Sequence, residues 1–434
     1  MAATATTDLI ETLRYTYADT DRVAYLFNQE TNLFNRLKKK MAEMGGRGQF
    51  LLPILTKNPG TWKGIAQGGA LPSAVQPDSA EASYSLKEFV GIYDISWKLI
   101  QDARNSKFAF ENVIKQMDQG IQRRIFRLIN ADLLGTGRGE LMTLGGADNT
   151  DPLTSRYLPR VEVGMVVDFM DDTDDDTILT NGNGVTVTAV DPIARTVTIG
   201  GNSSGTAAGD YLTIAGTCDI SVTTTSRHLN GILGVISDAN PNSVVGNVGG
   251  INRSTAGNEY WKSVVLSNSG TNRTLTEDLL LQAEDAVREK GGAQLTDWWS
   301  NLAIGRRYHE ILRNESYYSL GRVTGLDGGV GRSKSGSASA GADSDGKSMY
   351  DFSGVAWHFD PFFEANTIIG FDAAHFMIGH GENELPAPIS KIFPDKPFFK
   401  DTSNAAYEVL WYWQGQLITD NPAAGVKLSD IAES

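Results

Sequence analysis

The chain carries one cysteine, Cys218, in 434 residues, which excludes an internal disulfide framework and any cysteine-based zinc cluster. Long hydrophobic runs are missing too, since no stretch of about 18 apolar residues occurs and no membrane-spanning helix is expected. The opening MAATATTDLIETLRYTY has neither a basic n-region nor an apolar h-region. It does not read as a signal peptide, so a cytoplasm-like compartment is expected. Basic charge is in deficit: 38 Lys and Arg face 52 Asp and Glu, for a net charge of −14. That balance argues against sequence-independent nucleic-acid binding driven by counterion release. The five histidines spread over 228–380 suggest no metal triad, and His375 and His380, five apart, do not share a helix face. No Gly-x-Ser-x-Gly elbow, His-Glu-x-x-His or Gly-x-x-x-x-Gly-Lys is present, so neither a catalytic set nor a cofactor site is expected.

Apolar residues make up 41% of the chain, enough for real cores, and 434 residues exceed the roughly 250–300 at which one core stops growing. At least two domains are expected. Residues 8–45 read as helical in pieces, with the lysine run at 38–40 as a solvated helix end. GQFLLPIL reads as a strand, a glycine- and proline-rich stretch follows, and ASYSLKEFVGIYDIS reads as a second strand. On it Tyr84, Leu86, Val90 and Ile92 fall on one side, with Phe89, Tyr93 and Ile95 on the other. Two long strands around such a tip make a protruding hairpin, which can bury little of its own surface.

The strongest helical signal follows. Phe110, Ile114, Met117, Ile121, Ile125 and Leu128 form one stripe in SKFAFENVIKQMDQGIQRRIFRLINADLLG, with Ser106 as N-cap and Gly135 at the left-handed C-terminal position. Its length of about 27 residues spans roughly 40 Å, long for a compact domain. Arg123, Arg124 and Arg127 sit in its C-terminal half. The glycines of LLGTGRGELMTLGG therefore follow a helix, at the negative end of its dipole. A phosphate-cradling loop needs the reverse order, strand before and helix after, so this is not read as a nucleotide loop.

Residues 157–227 are rich in Val, Thr, Ile, Gly and Asp, and contain VEVGMVVDFM, GVTVTAVD, RTVTIGG and DYLTIAG. Short strands at that spacing suggest a small β-barrel or sandwich. The acidic DDTDDD at 171–176 fails the EF-hand template, with Thr177 at the obligatory glycine position and Asn183 at the final Glu position. Further on, Thr274 or Thr276 caps EDLLLQAEDAVREKGG, with Leu279, Ala283 and Val287 on one face. TDWWSNLAIGRRYHEIL reads as a strand entering a helix, 321–348 as a low-complexity loop, and the remainder as β-rich. Trp298, Trp299, Trp411 and Trp413 could stack sugars or bases, but their apolar neighbours suit a core.

The order of these elements resembles the major capsid proteins of tailed bacteriophages, with the Hong Kong 97-type capsid fold. The resemblance rests on Ile95, Ser96, Leu99, Asp102 and Ala103 after the second hairpin strand, on Gly135 and Gly137 after the long helix, and on LNGILGVIS at 229–237. It is supported by GGAQLTDWWSN, GVAWHFDPFFEANTIIGFDAAHFMIG and EVLWYWQGQLITDNPAAGVKL further on. It implies an α+β chain with an N-terminal arm over 1–45 and an extended β-hairpin loop over 46–92. A peripheral domain with the spine helix would take 93–154 and 382–414, and an axial domain 228–381 and 415–434. The block at 155–227 reads as an inserted β-domain.

That family implies a non-enzymatic subunit that self-assembles into hexamers and pentamers of an icosahedral shell enclosing double-stranded DNA, which it holds without sequence-specific contacts. A separate scaffolding protein, a portal and decoration proteins would be partners, with no membrane. Assembly would take place in the host cytoplasm and the product would be the virion. Candidate intersubunit contacts are Trp62, Lys63, Tyr84, Leu86, Arg123, Arg124 and Arg127. An encapsulin-like compartment shell is the alternative on the same fold, and a carbohydrate-binding β-module based on the tryptophans is the alternative outside it.

Overall fold

Strand order in the computed structural model departs at once from the linear reading, because ASYSLKEFVGIYDIS is two strands. The structure describes residues 32–41, 49–57, 60–67, 69–71, 73, 75–96, 107–144, 150–152, 160–171, 177–179, 182–191, 196–200, 207, 209–218, 226–241, 245–318, 350–388, 399–400 and 406–433. The helical reading of 8–31, the Ser106 cap, the acidic turn at 172–176, residues 97–103 and the loop at 321–348 lie outside them.

The hairpin pairs β2 (Gln49–Lys57) with β3 (Asp78–Ser85) in antiparallel register, Phe50 opposite Tyr84, with a bulge between Leu55 and Lys57. The chain then breaks at Leu86, and β4 (Lys87–Ser96) joins another sheet against β19 (Ala406–Thr419), from Lys87 opposite Gly415 to Ser96 opposite Ala406. A break flips the faces that a period-two count assigns. Tyr84 is buried while Val90 and Ile92 are 56% and 54% exposed. The hairpin therefore covers 49–85, not 46–92.

β19 is the spine of that first sheet and also pairs with β16 (Phe376–His380). β1 (Lys38–Met41) runs parallel to β16 at the edge. The lysine run is thus a strand and not a helix end; lysines on an edge strand discourage further pairing. Since β19 crosses 414/415 unbroken and β16 shares its sheet, the peripheral and axial boundaries read at 381/382 and 414/415 cut through one sheet. The helix α2 (Lys107–Leu133) is 27 residues long, and Ile121 and Ile125 pack on Ile95, Val409 and Trp411. Gly91 permits the approach, because a Cβ there would lie 2.8 Å from Ile125 Cδ1. Gly135 does not take the left-handed conformation read for it; Gly137 and Gly139 do, at φ 102° and 71°.

A second sheet has the order β5 (Met142–Thr143), β10 (Tyr211–Ile214), β7 (Val166–Met170), β8 (Val185–Asp191), β9 (Thr196–Gly200), β6 (Thr150–Pro152). Among the described residues these six strands pair with each other and with no other named strand. One buried cluster containing Met142, Val167, Phe169, Val187, Val197 and Leu212 serves them, so the sheet begins ahead of the boundary read at 155. Its two outer strands, β5 and β6, do not pair with each other among the described residues.

The third sheet has the order β11 (Val264–Leu266), β20 (Gly425–Leu428), β15 (Ile368–Phe371), β12 (Asp297–Ser300), β14 (Val355–Phe359), β13 (Tyr350–Phe352). The helix α4 (Glu277–Gly291) has Thr276 as N-cap, accepting from Leu279 N, and Gly292 at φ 63° as C-cap, and it buries Leu279, Ala283 and Val287. β12 leads directly into helix α5 (Leu302–Tyr318). The largest apolar cluster joins this sheet to the first, gathering Phe34, Trp298, Trp357, Trp413 and Val426.

Candidate intersubunit surface

The glycine turn after α2 meets LNGILGVIS directly. Gly135 O accepts from Leu233 N at 3.2 Å. A Cβ at Gly231 would overlap Gly135 O and lie 2.9 Å from Thr136 N; one at Gly234 would overlap Thr136 O. Only glycines allow backbone to lie on backbone here. The second sheet leaves and returns beside this contact. His228 Nδ1 lies 2.8 Å from Asp132 Oδ2 on α2, and Nε2 lies 2.8 Å from Thr217 Oγ1. Arg160 donates to Ala131 O and to Glu140 O, and Arg127 pairs with Glu162. Burial and the neighbouring Arg124 lower the Arg127 pKa to about 10.

The hairpin is rooted firmly. Tyr84 is 2% exposed and donates its hydroxyl to Thr419 O at 2.8 Å. Burial pushes that phenol's pKa up, against the hydrogen bond to Thr419. Gly249, at φ 62°, fits between Ala82, Tyr84 and Trp261, where a Cβ would lie 3.1 Å from an atom of each. The tip is different in kind. Trp62 is 101% exposed, Leu71 82%, Leu55 58% and Ile65 48%. Lys57 and Lys63 are exposed, and no Asp or Glu occurs from Lys57 to Pro77. Within the tip, Gly60 N donates to Val75 O at 2.9 Å and Thr61 Oγ1 to Ser73 O at 2.7 Å.

The predicted contact residues therefore separate. Trp62 and Lys63 stand at the naked tip, and Arg123 and Arg124 are exposed on α2, with Arg124 3.7 Å from Glu162. Leu86 is half-buried against the main cluster. Tyr84 and Arg127 are committed inside the subunit, one to the hairpin root and one to Glu162, so neither offers surface to a neighbour. Val90 and Ile92 were missed; a break at Leu86, where the pattern restarts with Lys87-Glu88, was the signal. Trp298, Trp299, Trp411 and Trp413 are at most 3% exposed, which removes the stacking platform that a carbohydrate-binding reading needs.

No protein-family model matches the chain, and no curated protein sequence matches it. Solved structures do. A chain of the cyanophage A-1(L) capsid asymmetric unit aligns over 97% of this chain and 99% of its own, at 13% identity and TM-score 0.57. The chain has a phage capsid fold. The resemblance to Hong Kong 97-type capsid proteins carried by the order of motifs thus holds for the fold as a whole. Other similar structures are the capsid of an empty GTA particle (11% identity, 97% of each chain, TM-score 0.45) and the SrpI encapsulin of Synechococcus elongatus PCC 7942 (8% identity, 98% of this chain and 96% of that one, TM-score 0.47). Within the capsid fold of this chain, the hairpin tip and the outer face of β4 are where apolar side chains stand exposed together.

Proposed function

We propose that the protein is a major capsid protein, a non-enzymatic subunit that self-assembles into hexamers and pentamers of an icosahedral shell around phage double-stranded DNA. The observation that carries this is the hairpin: a root with Tyr84 2% exposed bears a tip with Trp62 101% exposed, on a fold matched end to end by a phage capsid chain. Large apolar side chains exposed together on one element mark a protein interface. Trp62, Lys63, Ile65 and Leu71 are the docking groups of this reading, with Arg123 and Arg124 as further contacts. The second sheet, with its own core, is an insertion that folds as a unit. Scaffolding protein, portal and decoration proteins are the expected partners, the virion the destination and the host cytoplasm the place of assembly.

Electron microscopy of the purified protein tests this. Closed particles, or hexameric and pentameric capsomers, are expected; a monodisperse monomer across the accessible concentration range would refute it. Nucleic acid inside particles recovered from infected cells separates a virus shell from a compartment that encloses protein cargo.

A further inference from the structure

The glycine turn that fails as a nucleotide loop nonetheless lines a half-enclosed cavity of about 180 Å³. Thr136 and Arg138 come from the turn, Gly234 and Ser237 from the segment around helix α3 (Ile232–Val235), and Lys427 from β20. Among the described residues no acidic side chain lines it, the Glu140 carboxylate being engaged by Thr136 and Arg138, in a chain whose net charge is −14. An anion entering between these two cations is attracted by both, with Glu140 remaining the partner of Arg138 at 3.7 Å.

The donors are in place. Arg138 is held in place, its Nη1 3.7 Å from Glu140 Oε1 and its guanidinium 5.2 Å from the Tyr211 ring centroid. Lys427 is half-buried and its ammonium pairs with nothing among the described residues. Ser237 Oγ accepts from Ala239 N at 3.3 Å, which leaves its hydroxyl hydrogen to donate. The Thr136 hydroxyl is directed to Glu140 at 3.2 Å and is not counted. Size then selects the ligand. The volume of about 180 Å³ is below the roughly 300–1,000 Å³ of sites for organic ligands and cofactors, and holds about six waters at ~30 Å³ each. A guanidinium, an ammonium and a hydroxyl carried by lining residues of three segments suit a compact anion with several acceptor oxygens.

We propose that this cavity binds a phosphate-type oxyanion, held by Arg138, Lys427 and Ser237. The ligand is either free inorganic phosphate or one phosphodiester of a nucleic acid. Its charge comes from side chains rather than from a helix N-terminus, so it is compatible with a turn at the negative end of α2. Binding would tie the glycine turn, the α3 segment and β20 together.

The unassembled subunit is titrated with inorganic phosphate at constant ionic strength and followed by calorimetry. Saturable binding at one site per chain is expected. Lys427→Gln and Arg138→Gln each weaken it about tenfold, while Lys38→Gln, exposed on β1 and outside the lining, leaves it unchanged. Lys427→Gln guards against a folding artefact in the arginine variant, since the Lys427 ammonium pairs with nothing among the described residues. Competition by a short DNA duplex assigns the site to a phosphodiester, and its absence to free phosphate. No saturable binding into the tens of millimolar, or equal binding by wild type and Lys427→Gln, overturns the proposal. Neither result bears on whether the subunit forms shells.

Discussion

Replacing Gly231 by alanine should be among the most damaging single-methyl changes in the chain. The added Cβ would overlap Gly135 O and lie 2.9 Å from Thr136 N. Both obstacles are backbone, so no rotamer change relieves them. The two segments must part, which strains or breaks the bond from Leu233 N to Gly135 O, now 3.2 Å. Overpacking costs about 1–3 kcal/mol and the lost hydrogen bond about 1 kcal/mol, so a loss of roughly 2–4 kcal/mol is expected. Gly120→Ala is the internal control. It lies within α2, has no atom within 4 Å of an added Cβ, and should stabilise by about 0.5–1 kcal/mol through helix propensity. Urea unfolding of the unassembled subunit reads the midpoints, and hydrogen exchange reads the Leu233 amide. An unchanged midpoint with Leu233 still protected in Gly231→Ala would refute the interlock of the two glycine segments.

Trp62→Ala should leave subunit stability within about 0.5 kcal/mol, as exposed positions do. It should raise the critical concentration for assembly at least tenfold, the effect of losing about 1.4 kcal/mol or more at an aromatic anchor; light scattering against concentration checks this. Arg253 is fully buried and donates to the carbonyls of Trp261, Gly234, Ala239 and Val235. Burial, against the charges of Tyr84 and Asp238, lowers its pKa to about 10. Arg253→Met orphans those acceptors at once and should cost at least about 3 kcal/mol in urea unfolding. Asp297 is fully buried and accepts from Arg36 at 2.8 Å, His358 at 3.0 Å and Thr296 at 2.6 Å. Burial raises its pKa, but these bonds and the Arg36 charge outweigh it and hold the carboxyl below its ordinary value. A depressed carboxyl stabilises the fold above the unfolded pKa of about 3.9, and that contribution disappears as pH falls through the folded value. Asp297→Asn should therefore cost about 2–3 kcal/mol at neutral pH, with a gap to wild type that narrows below about pH 4; thermal midpoints across pH measure it.

Local signals were readable where one segment decides its own structure. Thr276 and Gly292 bracket α4 because a side-chain cap and a left-handed glycine act within a single turn, and the 27 residues of α2 announce themselves by their stripe. Pairing across the chain was not readable. Residues 38–41 are a strand only because β16, more than 330 positions later, offers an edge to them; alone, three lysines suit a helix terminus equally well. The polar pair Lys87-Glu88 is the one local mark of the break after Leu86; what makes two strands of the segment is their separate partners, β2 and β19. Of the candidate contacts, Trp62 was legible because its glycine- and proline-rich surroundings offer it nothing to pack on. Tyr84 was not, because its acceptor, Thr419 O, lies 335 residues away.

The contrast between root and tip bears on how strongly such a contact can hold. A loop that must be ordered on docking loses conformational freedom at that moment. Here β2 alone spans nine residues, roughly 30 Å of strand, and is fixed at its base by the Phe50 and Tyr84 register and the Gly249 seat. The tip is carried as a lever, so less of the apolar gain at Trp62 and Leu71 is lost to ordering. Charge works in the same direction. Copies with a net charge of −14 repel at contact, within a screening length of about 8 Å at physiological salt. The stretch from Lys57 to Pro77 carries no acid, so it can approach an acidic neighbour without that penalty, and it bears the exposed tryptophan.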